Sequence, residues 1–144
     1  MHTETPESLR LKLNLFFGSP ELPDRVSKVW STIQLDSSIL EISPNWAPLV
    51  IKEDLKPNGK ISYCDRMPTE WRQNRESENP ARLKYSLQVM ESDFVWTPGE
   101  KLSECTGERF DFAISSHVVE HVPDLLGHMI EISDILKPGG KYAL

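Results

Sequence analysis

Only two cysteines occur in the 144 residues, Cys64 and Cys105, far apart and without CxxC spacing. Neither a disulfide framework nor a cysteine-based zinc site is indicated, so a reduced, cytoplasmic setting is expected. The chain also lacks a long hydrophobic run. Its only N-terminal apolar stretch, Leu11–Phe17, is interrupted by Lys12 and Asn14 and has no basic n-region before it. Neither a signal peptide nor a transmembrane helix is expected from so short a run. An excess of positive charge is missing too. Sixteen Lys and Arg stand against 22 Asp and Glu, a formal charge of −6. That balance weighs against nucleic acid as a partner and leaves room only for a local basic patch. No internal repeat or low-complexity tract is present.

What remains is material for one folded domain. The length suffices for a single buried core. Four Trp and five Phe argue against wholesale disorder, and 11 Pro with seven Gly imply many turns. Residues 1–35 read as an N-terminal lead-in followed by a short helix. The lead-in runs through 1–22. The helix, roughly 24–34, carries Val26, Val29, Trp30 and Ile33 at the spacing of one helical face.

Residues 36–144 then alternate strands with helices. Strands are predicted at Ser38–Ile42, Lys60–Cys64, Leu87–Met90 and Phe110–Ser115, with a fifth beginning at Tyr142. A short helix fits around Ala47–Asp54, and the mixed-charge stretch 68–84 reads as a solvated helix and loop. The best helix starts after Pro123-Asp124 and ends in Lys137-Pro138-Gly139-Gly140, a basic last turn followed by helix-stopping residues. Nearly continuous apolar strands between helices indicate a mostly parallel, Rossmann-like α/β sheet covered on both faces. Right-handed crossovers place the strands' carboxyl ends on one edge, where open α/β sheets bind ligands. Four polar clusters meet there: Glu41–Asn45, Cys64–Asp65, Glu91–Phe94 and Ser115–His117.

Two of these clusters carry a resemblance. Ile39-Leu40-Glu41-Ile42-Ser43-Pro44 looks like the opening motif of class I S-adenosylmethionine-dependent methyltransferases. Phe110 through Asp124, which includes Ser116-His117-Val118-Val119-Glu120-His121, resembles their later motifs, as does Ile135-Leu136-Lys137-Pro138-Gly139-Gly140. The likeness is to the type 11 and ubiquinone/menaquinone-type domains, over residues 36–144. It implies S-adenosyl-L-methionine as cofactor and a sheet of order 3-2-1-4-5. By the same resemblance Glu41 orders the first loop or reaches the amino-acid tail. Asp65, 24 residues later, takes the ribose hydroxyls, close to the dinucleotide-fold spacing. Asp93 and Phe94 meet the adenine, while Ser116 and His117 flank the methionine part. His117 or His121 would serve as base if the acceptor must lose a proton. Ser43 and Asn45 belong to the cofactor loop.

That loop departs from the family pattern. Ser43-Pro44-Asn45-Trp46-Ala47 contains no glycine, although glycine is what permits a positive φ and close backbone approach. The departure keeps open a methyltransferase-like interaction module that has lost its cofactor. Glu41 and Asp65 also fit ordinary strand-end carboxylates, and Phe94 fits a core residue. His117-Val118-Val119-Glu120-His121 matches H-x-x-E-H, a zinc hydrolase pattern, but Pro123 leaves little room for the long helix that it needs. His128 is expected to be partly exposed.

The family's sheet has seven strands, whereas this sequence stops in the fifth. The resemblance therefore implies a fragment lacking the last two strands, with an apolar edge strand available for self-association. The expected activity is methyl transfer to an unidentified small-molecule or glycan-type acceptor.

Overall fold

In the computed structural model, which describes residues 8–144, the apolar runs at Ser38–Ile42 (β1) and Phe110–Ser115 (β4) lie side by side in a sheet. Outside them stand Lys60–Asp65 (β2), the two-residue Phe94–Val95 (β3) and Leu136–Ala143 (β5). The order is β3-β2-β1-β4-β5 and every pairing is parallel. This matches the order 3-2-1-4-5 implied by the family resemblance.

Alternating side chains of β1 serve two different cores, as a pleated strand covered on both faces requires. Leu40 and Ile42 pack with Cys64, Ala113 and the helical residues Ile132 and Ile135. Ile39 packs on the opposite face with Val26, Leu49, Val50 and Ile114. The first core is covered by α5 (Leu102–Thr106) and α6 (Leu125–Ile135), the second by α2 (Asp24–Trp30). Burying each such aliphatic side chain contributes about 1.5–3 kcal/mol.

The expected lead-in is instead a helix from residue 9 on. Ser8 caps α1 (Leu9–Phe16) by accepting the Leu11 N–H. Leu13 is fully buried against Ile51 and Leu87, and Arg10 Nε donates to Asp54 Oδ1 at 3.0 Å. The next helix is shorter than its apolar stripe, because the Ser31 and Thr32 hydroxyls turn back to the Lys28 and Val29 carbonyls. Around 47–54 only a 3-10 turn forms, at Lys52–Asp54. The mixed-charge stretch contains α3 (Thr69–Arg75) and α4 (Pro80–Lys84).

The third strand is displaced from Leu87–Met90 to Phe94–Val95. Leu87 and Val89 are buried, but Leu87 is drawn into the α1 cluster and the Met90 N–H bonds the Asn45 carbonyl at 2.7 Å. Apolarity there reflects a packed connection rather than a sheet ladder. The last helix ends earlier than expected, at Ile135, and Lys137-Pro138-Gly139-Gly140 opens β5. The register with β4 jumps from Phe110↔Leu136 to Phe112↔Lys141 across this bulge. A Cβ on Gly140 would lie 2.9 Å from the Lys137 carbonyl and 3.0 Å from the Asp111 carbonyl, so the close approach favours glycine. Among the described residues, no helix is long and apolar enough to cross a membrane.

Candidate functional site at the carboxyl edge of the sheet

After β1 the chain turns with Ser43 at φ 53° and Asn45 at φ 50°. Both lie in the left-handed region, which costs an ordinary L-residue about 1–2 kcal/mol. The glycine-free loop therefore reaches a glycine-type conformation with other residues. Neighbouring backbone bonds hold it, Ser43 N–H to the Cys64 carbonyl at 2.8 Å and Met90 N–H to the Asn45 carbonyl.

Glu41 anchors the segment that follows. Its buried carboxyl accepts the Leu49 N–H at 2.8 Å and the Val50 N–H at 3.2 Å. Burial pushes its pKa up to about 8, against the opposing pull of those two N–H donors. These contacts tie β1 to the segment that follows the Ser43–Ala47 loop.

At the end of β2, Asp65 is buried and its Oδ1 accepts the Met67 N–H at 3.2 Å. Beside it lies Arg72, a buried arginine in the helix expected to be solvated. Its guanidinium donates to the carbonyls of Met67 and Met90 and to the hydroxyls of Thr69 and Ser92. Arg72 Nη1 and Asn45 Oδ1 remain buried without a hydrogen-bond partner among the described residues. Buried orphans of this kind call for an explanation, such as a ligand group.

These residues line a cleft of about 820 Å³ that also takes in Glu41, Ser43, Asn45, Ser116, His117 and His121. Asp93 and Phe94 are not brought into it. The Asp93 carboxylate accepts the Tyr63 N–H at 2.8 Å, and Phe94 packs against the core. The displaced third strand is the reason, since its carboxyl end lies at Trp96 rather than near Glu91. Trp96 lines the cleft in their place, stacked on His128 with centroids 5.3 Å apart. His128 is thus not the partly exposed residue expected. It is 7% exposed, and its Nε2 meets the Tyr142 hydroxyl at 3.0 Å, which in turn meets Ser115 Oγ at 2.7 Å. Burial lowers its pKa. A signal for it was present, because His128, Ile132 and Ile135 share the i, i+4, i+7 spacing of one helical face. Arg72 had none beyond a charge-rich helix.

His117 follows β4 with φ 55°, and its Nδ1 lies 3.0 Å from Glu120 Oε1. The carboxylate only accepts, so Nδ1 carries the proton of that bond. Val119–His121 is a single 3-10 turn. The H-x-x-E-H stretch is accordingly not a helix presenting two histidines on one face. Among the described residues, no group of three or more His, Cys, Asp or Glu is arranged to hold a metal ion.

Solved structures share this architecture. The glycopeptide N-methyltransferase MtfA aligns with a TM-score of 0.52 and 16% identity, over 82% of this chain and 50% of MtfA. A second MtfA structure is complexed with (S)-adenosyl-L-homocysteine and gives a TM-score of 0.51 at 15% identity, over 82% of this chain and 49% of the other. CrArsM, an arsenic(III) S-adenosylmethionine methyltransferase from Chlamydomonas reinhardtii, aligns at 0.54 with 20% identity, over 95% of this chain and 48% of its own. At such identities the likeness concerns the fold. The class defined is the Rossmann-like fold of class I S-adenosylmethionine-dependent methyltransferases.

More specifically, the chain belongs to the methyltransferase domain family, whose model matches residues 59–144, more than half of its length. In sequence it is 42% identical over 60 residues to the ubiquinone biosynthesis O-methyltransferase of Ruegeria pomeroyi, covering 42% of this chain and 24% of the relative. The protein of the same description from Dinoroseobacter shibae gives the same identity and coverage. The chain thus matches about a quarter of these relatives' length.

Proposed function

We propose that the chain binds S-adenosylmethionine along the carboxyl edge of its sheet and serves methyl transfer to a small-molecule hydroxyl. The observation that carries this reading is the juxtaposition of the left-handed Ser43–Asn45 loop with the buried Asp65 carboxylate at the next strand's end. The donor set suits the cofactor. Asp65 Oδ2 accepts no hydrogen bond from the described residues and suits a ribose hydroxyl. The orphaned Asn45 Oδ1 suits an ammonium group, as in the amino-acid tail. The Trp96 ring, backed by His128, offers a flat face for adenine. Loss of glycine from the loop favours a cofactor-free interaction module, but Ser43 and Asn45 already occupy the backbone region that glycine would supply.

Bound there, the cofactor supplies a methyl group on a positively charged sulfonium. The chain's own contribution is alignment and exclusion of water, which is worth up to about 7–11 kcal/mol in well-oriented reactions. His117 donates through Nδ1 to Glu120 and keeps Nε2 available for the proton of an acceptor hydroxyl. His121, on the same cleft wall, is the second candidate. An oxygen acceptor is supported by the O-methyltransferase relatives, over their partial match.

Calorimetric titration of the chain with S-adenosylmethionine tests the reading. One saturable site displaced by S-adenosylhomocysteine is expected. A folded chain that gives no binding heat and no thermal shift would favour the interaction module.

A further inference from the structure

Besides the residues suited to a nucleoside, the cleft is lined by an aromatic wall of Phe16 and Phe17 at the end of α1, Trp46 in the first loop and Trp71 on α3. Phe16 meets Trp46 edge to face at 4.8 Å between centroids. Two guanidinium groups sit on this aromatic wall, Arg25 over Phe17 at 5.4 Å and Arg75 over Trp71 at 5.3 Å. Arg66 lines the cleft as well.

The charges here are unevenly engaged. Each carboxylate lining the cleft accepts at least one hydrogen bond from this chain, with Asp65 Oδ2 left open. Glu41 holds Leu49 and Val50, and Asp65 holds Met67. Glu76 holds Trp46 and Asn79, Glu100 holds Thr97, Asp124 holds Gly127 and Glu131 holds Leu102. By contrast Arg25, Arg66 and Arg75 form no ion pair among the described residues. Arg25 and Arg75 thus stand against flat aromatic rings with no carboxylate of the described residues paired to them. Indole and phenyl faces pack on planar rings or on the C–H face of a sugar, and guanidinium groups pair with carboxylate or phosphate.

We infer that the methyl acceptor is a ring-bearing anion, its ring on the Trp46–Trp71 wall and its carboxylate or phosphate between Arg25 and Arg75. The inference rests on the methyl-transfer reading of the cleft for the word acceptor, but its binding readout is independent of cofactor.

Two probe pairs separate the sources of that chemistry. Benzoate is compared with benzyl alcohol, and glucose 6-phosphate with glucose, by following tryptophan indole NMR signals of the full chain. At least one anion is expected to bind about tenfold or more tightly than its neutral counterpart. Arg25→Glu and Arg75→Glu should each abolish that preference, whereas Lys28→Glu, on α2 but outside the cleft, should keep it. Preference for benzoate identifies an aromatic acid, and preference for the sugar phosphate identifies a phosphorylated sugar. Equal binding within both pairs, no binding of any probe, or a preference that survives both arginine substitutions overturns the inference. Parallel titration with S-adenosylhomocysteine keeps failure of the cofactor reading distinguishable, since that titration does not involve Arg25 or Arg75.

Discussion

Arg72 Nε lies 3.8 Å from Asp65 Oδ2, with both side chains almost wholly buried. One arginine thus ties the end of β2 to α3 and to the connection before β3, through two carbonyls and two hydroxyls. Replacing it removes several hydrogen bonds at once and leaves buried acceptors behind. Arg72→Met is expected to lose about 3 kcal/mol in urea unfolding. Arg75→Met, at an exposed position on the same helix, should stay within about 0.5 kcal/mol of wild type.

The loop after β1 gives a backbone test. Ser43 holds a positive φ without glycine, so Ser43→Gly is expected to be neutral or to stabilise by up to about 1 kcal/mol. Ser43→Val, whose branched side chain resists that region, should cost about 1–2 kcal/mol. Both are read from thermal or chemical unfolding, and a valine variant as stable as wild type would refute the strain.

Glu41 makes stability depend on pH. Its folded pKa, raised to about 8 from 4.5, means that the native state holds a proton which the unfolded state releases. Its contribution is complete below pH 4.5, declines as pH rises and is lost once pH passes about 8. Glu41→Gln cannot ionise, so its melting temperature relative to wild type should improve between pH 6 and 9. Parallel melting curves for the two proteins would contradict this.

His128 acts in the opposite sense. Burial lowers its pKa below 6.5, so the unfolded chain takes up the proton first and its contribution is lost as pH falls. His128→Phe retains a ring against Trp96 but loses the bond to Tyr142, at a cost of about 1 kcal/mol. The variant should be the less acid-sensitive of the two when unfolding is followed below neutrality.

Three of the strands were legible in the sequence, because β1, β2 and β4 are apolar runs bounded by turn residues, whereas the sheet order came from the family resemblance. The third strand was not. Leu87–Met90 has the apolarity of a strand, but it fills a core beneath α1, which composition alone does not distinguish from pairing. That misplacement drew Asp93 and Phe94 toward the cleft and concealed Trp96. Glu41 and Asp65 were readable because strand-end carboxylates follow from topology. Arg72 was hidden because its burial depends on partners at Met90 and Ser92, distant in sequence. Asn45 was readable as a residue tolerant of positive φ, whereas Ser43 was not.

The central claim is that Asp65 receives the ribose of S-adenosylmethionine in this cleft. Its most direct test is the affinity of S-adenosylhomocysteine for wild type and for Asp65→Asn, measured by calorimetry with folding checked by circular dichroism. Saturable binding that weakens by about tenfold or more in the folded variant is predicted. Equal affinity in both proteins, or no binding to wild type, would contradict the claim.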